Sequence, residues 1–373
     1  MAGIYVHIPF CNKRCSYCDF HFSTTFHSYR GDLINSLLKE LVLRRDELRK
    51  EIVSVYFGGG TPSLLYKEEL MSILETIKGN YSLVESAEIT LEANPEDCTE
   101  ENLYHWKELG INRLSIGIQS FKPKDLLWMN RGHGENAGVD SFLLARKCGF
   151  KNISVDLMYG LPELTNQEWE NHLIQIINLQ PEHISAYCLT IEDKTALSAW
   201  VKSGKMTPPA EDKQSDQFET LIAILALHGY EQYEISNFAK ESQYAIHNSN
   251  YWKGSEYMGI GPSAHSYDGI NRRWNVSNNQ QYIKNIGADN NWFTIETLST
   301  ENKWNELFLT GLRTKWGVLK TDINQLGGFM RKEIIMIEQL LEEGLLLEDL
   351  EAYKLSISGK IKADGIASDL FRI

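Results

Sequence analysis

Three of the six cysteines, Cys11, Cys15 and Cys18, form a CxxxCxxC triad directly after the apolar stretch Ile4-Tyr-Val-His-Ile-Pro-Phe10. Closed iron-sulfur clusters and structural zinc sites normally take four protein ligands. Three thiolates leave one iron of a 4Fe-4S cube open, and an open iron can chelate a small molecule and pass it one electron. Such a centre generates radicals. A zinc knuckle or three unrelated thiols is the plain alternative, but no second CxxC and no CxxxH lies nearby to complete a zinc site. The triad also leaves a strand-like run and enters a loop, where α/β folds carry their sites.

With 37 basic and 50 acidic residues the net charge is −13, the wrong sign for a general nucleic-acid binder. The longest clear apolar run, Leu221 to Leu227, ends at His228, far short of the roughly 18 residues a bilayer span needs. No charged and then apolar leader opens the chain, so the expectation is a cytoplasmic protein. Cys98, Cys148 and Cys188 are scattered and read as small buried hydrophobes rather than a disulfide framework.

After the first strand, apolar β-rich runs recur at Ile52 to Phe57, Ala87 to Ala93, Arg113 to Ile118, Ile153 to Met158 and Ile184 to Leu189. Helical patterns separate them, such as Leu33 to Leu48, which sets Leu33, Leu37, Leu41 and Leu48 near one face. Six strands with helical crossovers predict an α/β fold whose parallel sheet curls into a partial (β/α)6 barrel; a flat doubly wound sheet is the alternative. Ligands then belong at the C-terminal strand ends. The pattern divides the chain into a core over 1–205, a connecting helix and aromatic segment over 206–297, and a C-terminal α+β module resembling a winged helix over 298–373, with Pro208-Pro209 as the linker candidate. The mixed charges of that module argue against DNA reading.

Polar residues recur at the expected strand ends. The second strand ends in Gly58-Gly-Gly60-Thr61-Pro62, Glu92 lies near the end of the third, the fourth ends at Gln119, Arg131 follows in the next loop, and Asp156 lies in the fifth. A charge inside an apolar parallel strand is costly unless paired or ligand-bound. One such residue fits a structural ion pair; four at successive ends of one sheet fit a single polar ligand better.

These motifs resemble the radical S-adenosylmethionine superfamily, and within it the coproporphyrinogen III oxidase-like branch. The resemblance rests on Tyr5-Val-His-Ile-Pro-Phe-Cys11, the triad, Gly58-Gly-Gly-Thr-Pro-Ser63, Glu92-Ala-Asn-Pro95, Ser115-Ile-Gly-Ile-Gln-Ser-Phe121, Asp156-Leu-Met-Tyr-Gly-Leu-Pro162 and Glu306-Leu-Phe-Leu-Thr-Gly-Leu-Arg-Thr314. It implies that Cys11, Cys15 and Cys18 ligate a 4Fe-4S cluster and that Tyr5, Gly59, Gly60, Thr61, Glu92, Gln119, Arg131 and Asp156 line the S-adenosylmethionine pocket. Glu92 and Arg131 would offer opposite charges to the ends of a zwitterion, and Asp156 could accept from ribose hydroxyls.

Two departures separate this chain from the dehydrogenases of that branch. The position of their additional cysteine holds Phe20, and only ten residues precede Cys11. Both features resemble the sister group of heme chaperones, as does His247-Asn-Ser-Asn-Tyr-Trp252, which matches that group's HNxxYW motif. The resemblance implies heme as a ligand, with His247 as a candidate axial donor and Tyr251 and Trp252 as flat surface for a macrocycle. A histidine beside aromatics is also what a hydrogen-bonded core residue looks like; His265 is a second, weaker candidate. The expected partners are heme, acceptor hemoproteins including membrane-associated ones, and an electron donor such as flavodoxin or ferredoxin, with no nucleic acid. Oxygen-independent oxidative decarboxylation of coproporphyrinogen III and anaerobic opening of heme remain the enzymatic alternatives.

Overall fold

The computed structural model describes residues 1–372. Six strands of its N-terminal half run parallel and lie side by side in chain order: β1 (Ala2–Ile8), β2 (Ile52–Gly59), β3 (Leu83–Ala93), β4 (Arg113–Gln119), β5 (Ile153–Tyr159) and β6 (His183–Cys188). The crossovers are α1 (Arg30–Leu43), α2 (Lys67–Asn80), α3 (Glu100–Leu109), α4 (Pro123–Trp128) with α5 (Ala137–Lys147), and α6 (Asn166–Leu179). Helix ends follow local chemistry. The Thr99 hydroxyl accepts from the Asn102 amide to start α3, and Gly110 at φ 99° ends it. Period-two alternation sorts β1 into two faces. Ala2, Ile4, Val6 and Ile8 join Leu33, Leu37 and Leu41 of α1 in the main core. Gly3, Tyr5 and His7 alternate with them and face the concave interior.

Beyond β6 come α7 (Ala196–Lys202) and α8 (Glu211–Leu227), then β7 (Tyr230–Glu234), β8 (Asn237–Lys240), α9 (Ile246–Trp252), β9 (Glu256–Ile260), β10 (His265–Tyr267), β11 (Asn271–Asn275), α10 (Asn279–Gly287) and β12 (Phe293–Thr297). This stretch builds no sheet of its own. β8 adds antiparallel to β6 and β7 adds antiparallel to β8, while β9 pairs parallel with β1 and carries β10, β11 and β12 outward. The result is one sheet of twelve strands, with Phe218, Phe238, Met258 and Tyr282 in the same core as the first half. Two flanking ribbons cover edges that a six-stranded sheet would leave unpaired. Hydrogen bonding runs from β12 to β7 without closing a ring among the described residues.

The last segment has its own core, built around Trp304, Phe308, Val318, Ile337, Leu346 and Ile366. Its elements are α11 (Thr300–Gly311), β13 (Val318–Leu319), α12 (Lys320–Gln325), α13 (Arg331–Glu342), β14 (Leu346–Glu348), β15 (Ala352–Leu355), α14 (Ile357–Ile361) and α15 (Ala363–Asp369), with a small antiparallel sheet in the order β13-β15-β14. The turn after α11 docks on the edge strand β7, where the Ile235 amide donates to the Arg313 carbonyl at 3.0 Å and the Lys315 amide to the Tyr233 carbonyl at 3.0 Å.

Candidate functional site

The C-terminal ends of the parallel strands, the cysteine loop and the last module enclose one cavity of about 1650 Å³. Cys11, Cys15 and Cys18 line it, and so do Gly59, Gly60, Thr61, Glu92, Gln119, Arg131 and Asp156. Side chains from β2 through β5 converge on one space because the sheet curls.

The three thiols are free and half-buried. Burial pushes the Cys11 thiol up to about 11 and the Cys18 thiol to about 12, so both hold their protons at neutral pH unless a cationic centre draws them off. The Thr61 hydroxyl donates to Cys11 Sγ at 3.4 Å, and Arg131 Nη1 stands 3.7 Å from Cys15 Sγ. Among the described residues no group of three or more His, Cys, Asp or Glu side chains could hold a single metal ion. A cube spreads its thiolates over a wider triangle than one ion does.

Behind the loop, Glu92 and Asp156 are carboxylates with no cation within salt-bridge distance among the described residues. Glu92 Oε1 accepts from the Tyr56 hydroxyl at 2.7 Å, and the Ser115 hydroxyl donates to Asp156 at 3.1 and 3.2 Å. Burial raises Glu92 to about 7 and Asp156 to about 6, against the lowering effect of those hydrogen bonds. Arg131 does not neutralise them. Its Nη2 donates to the Asn94 side chain at 2.8 Å and to the Gly117 carbonyl at 2.7 Å, and its buried Nε has no partner. An orphan guanidinium donor and two carboxylates without a cation, all lining one cavity, are groups that a zwitterion with hydroxyl groups would complete.

The glycines make room. A Cβ at Gly60 would stand 2.7 Å from the Phe10 carbonyl oxygen, and one at Gly117 would stand 2.9 Å from Gln119 Nε2 and 3.2 Å from Arg131 Nη2. Gln119 itself sits at φ 67°, a left-handed conformation rare for its type. These residues therefore fit S-adenosylmethionine and a cluster.

Five sequence-selected residues lie elsewhere. Tyr5 is in the middle of β1, beneath the cavity, with its hydroxyl 3.1 Å from His7 Nδ1. His247, Tyr251 and Trp252 belong to α9, which packs at the other end of the strands, over Gly3 of β1 and Ser54 of β2. His265 is exposed on β10, stacked 6.2 Å from Trp274. Sequence reasoning did not single out Tyr56, Asn94 and Ser115 as site residues, although Asn94, just past β3, and Ser115, in β4, stand inside the quoted motifs; for Tyr56 the only local signal is alternation within β2. It also missed the far wall, where Arg313, Met336, Leu340, Lys360 and Ile366 come from the last module.

The radical SAM superfamily model matches residues 5–176. The chain is 36% identical to the heme chaperone HemW of Bacillus subtilis over 76% of its own length and 75% of that protein. It is 36% identical to HemW of Escherichia coli, over 70% of this chain and 69% of that one. The chain belongs to the HemW family. Its fold is that of the solved coproporphyrinogen III oxidase HemN of Escherichia coli, with a TM-score of 0.85 over 99% of this chain and 90% of that one, at 23% identity. Within this HemW-family chain, Phe20 lines the cavity and is 67% exposed.

Proposed function

We propose that this protein is a heme chaperone: it binds a 4Fe-4S cluster, S-adenosylmethionine and heme, and hands the heme to acceptor hemoproteins. Cys11, Cys15 and Cys18 would ligate three irons. Glu92, Arg131, Gln119 and Asp156, together with Gly59, Gly60 and Thr61, would hold S-adenosylmethionine, which would meet the iron that lacks a thiolate. Bound there, a reduced cluster would supply the one electron that breaks the sulfonium S–C5' bond of S-adenosylmethionine, giving methionine and a 5'-deoxyadenosyl radical.

One observation carries the reading: the triad and the unpaired Glu92, Arg131 and Asp156 share a cavity in a chain so similar to proteins named heme chaperones. For heme we propose His247, Tyr251 and Trp252. His247 Nδ1 lies 3.0 Å from the Ser54 hydroxyl, while Nε2 has no protein partner among the described residues, and Tyr251 is 41% exposed. An electron donor of the flavodoxin or ferredoxin type would serve the cluster, in the cytoplasm; no helix is long and apolar enough to cross a membrane.

Anaerobically reconstituted protein incubated separately with heme and with coproporphyrinogen III tests this. We expect about one heme per chain, a Soret band altered by His247→Ala, and no protoporphyrinogen IX. Efficient decarboxylation of coproporphyrinogen III would replace the chaperone reading with the oxidase one.

A further inference from the structure

The HNxxYW helix lies away from the cavity, yet its histidine is one contact removed from a cavity carboxylate. The His247 ring stacks on Tyr56 with centroids 5.2 Å apart and planes at 29°. The Tyr56 hydroxyl in turn donates to Glu92 Oε1 at 2.7 Å. Tyr5 closes the stack from the side, 6.1 Å from Tyr56 and 6.3 Å from His247.

Two glycines hold this column together. A Cβ at Gly3 would stand 3.1 Å from His247 Nδ1, and one at Gly58 would stand 2.9 Å from both tyrosine rings and 3.2 Å from Glu92 Oε1. From below, the Ser54 hydroxyl meets His247 Nδ1, and the backbone amides of Ile246 and His247 donate to the two oxygens of Glu88, at 3.0 Å each. The imidazole is thereby fixed in height and tilt. Among the described residues the Tyr56 hydroxyl makes no other hydrogen bond, so its ring is oriented by packing, on His247 at one contact and Tyr5 at another.

We propose that His247 is a positioning residue for the S-adenosylmethionine pocket, acting through Tyr56 on Glu92. The ring works as a neutral plate, since burial keeps its pKa near 4. The role assumes the cofactor reading of Glu92 and is independent of whether Nε2 also meets a heme iron.

The test uses heme-free, cluster-loaded protein, with S-adenosylmethionine affinity read from the change it induces in the paramagnetic spectrum of the reduced cluster. Tyr56→Phe should weaken binding about tenfold, as expected for loss of a hydrogen bond to a charged group. His247→Ala should weaken it about threefold or more, and His247→Phe, which keeps the stack, should stay within about twofold of the parent. The double variant His247→Ala/Tyr56→Phe should bind no more weakly than Tyr56→Phe, because both changes act on one hydrogen bond. Iron content reports whether the variants still fold. Parent affinity in His247→Ala, or losses that multiply in the double variant, would overturn the proposal. If His247→Ala does not fold, Ser54→Ala releases the same ring without opening a cavity, and parent affinity there overturns it equally. A heme that fails to bind leaves these outcomes unchanged; loss of the Glu92→Gln effect on S-adenosylmethionine would instead strike the cofactor reading.

Discussion

Arg313 lays its guanidinium 5.1 Å over the Trp252 ring while its Nε pairs with Glu234 at 3.1 Å. A second nitrogen reaches Asp364 at 2.8 Å, on the module wall of the cavity. One side chain thus ties α9, the sheet edge and the C-terminal module together. Glu234 is 1% exposed and keeps only the Asn237 side chain and Ser236 amide when Arg313 is lost. Arg313→Leu should therefore destabilise the protein by about 2 kcal/mol, less than a fully buried pair would lose. Urea denaturation measures this, and an unchanged midpoint would mean that the module docks by its backbone contacts alone.

The cluster prediction separates the six cysteines by place. Alanine at Cys11, Cys15 or Cys18 should abolish binding of about four irons. Cys98 and Cys148 sit in the core among apolar neighbours, whereas Cys188, also expected to be a buried hydrophobe, is half-buried and lines the cavity at the end of β6; alanine at any of these three should retain the full iron complement. Iron and sulfide analysis after reconstitution decides; loss of iron in a folded Cys148→Ala protein would contradict the triad.

Charge replacements in the pocket should affect ligand binding more than the fold. Glu92→Gln and Arg131→Met remove groups with no mutual ion pair, so each should weaken S-adenosylmethionine by about tenfold or more. Calorimetric unfolding of the cofactor-free variants checks the other half of the claim. A large drop in melting temperature with parent affinity would assign these residues to structure.

The pH dependence has a definite sign. Burial raises Glu92 to about 7, above its unfolded value, so its contribution to stability is fully present below that unfolded value and is lost as pH rises towards 7. His7 and His247, both lowered to about 4 by burial, act oppositely, and their contribution is lost as pH falls below 6.5. The difference between parent and Glu92→Gln isolates the carboxyl: the variant should gain relative stability between pH 5 and 7.5. S-adenosylmethionine affinity in the parent should rise over the same interval, as the carboxylate forms to meet the ligand ammonium. A flat affinity profile would show that Glu92 is not the ammonium acceptor.

The sequence by itself determined the parts of this protein that are local. The triad spacing, the glycines after β2 and the alternation that makes six strands are written within a few residues of each other, and so are Thr99 and Gly110 at the ends of α3. Strand ends could be named because a parallel sheet with helical crossovers delivers every second loop to the same side. Tertiary structure decided which residues meet. The segment after Pro208-Pro209 covers both edges of the sheet because unpaired strands need partners, and no periodicity states which edge a ribbon will take. For the same reason α9 carries HNxxYW to the lower end of β1 and β2, while Arg313 and Lys360 arrive in the cavity. Tyr56 and Glu92 are 36 residues apart, and their hydrogen bond exists only because β2 and β3 are neighbours in a sheet curved enough to face both side chains inward.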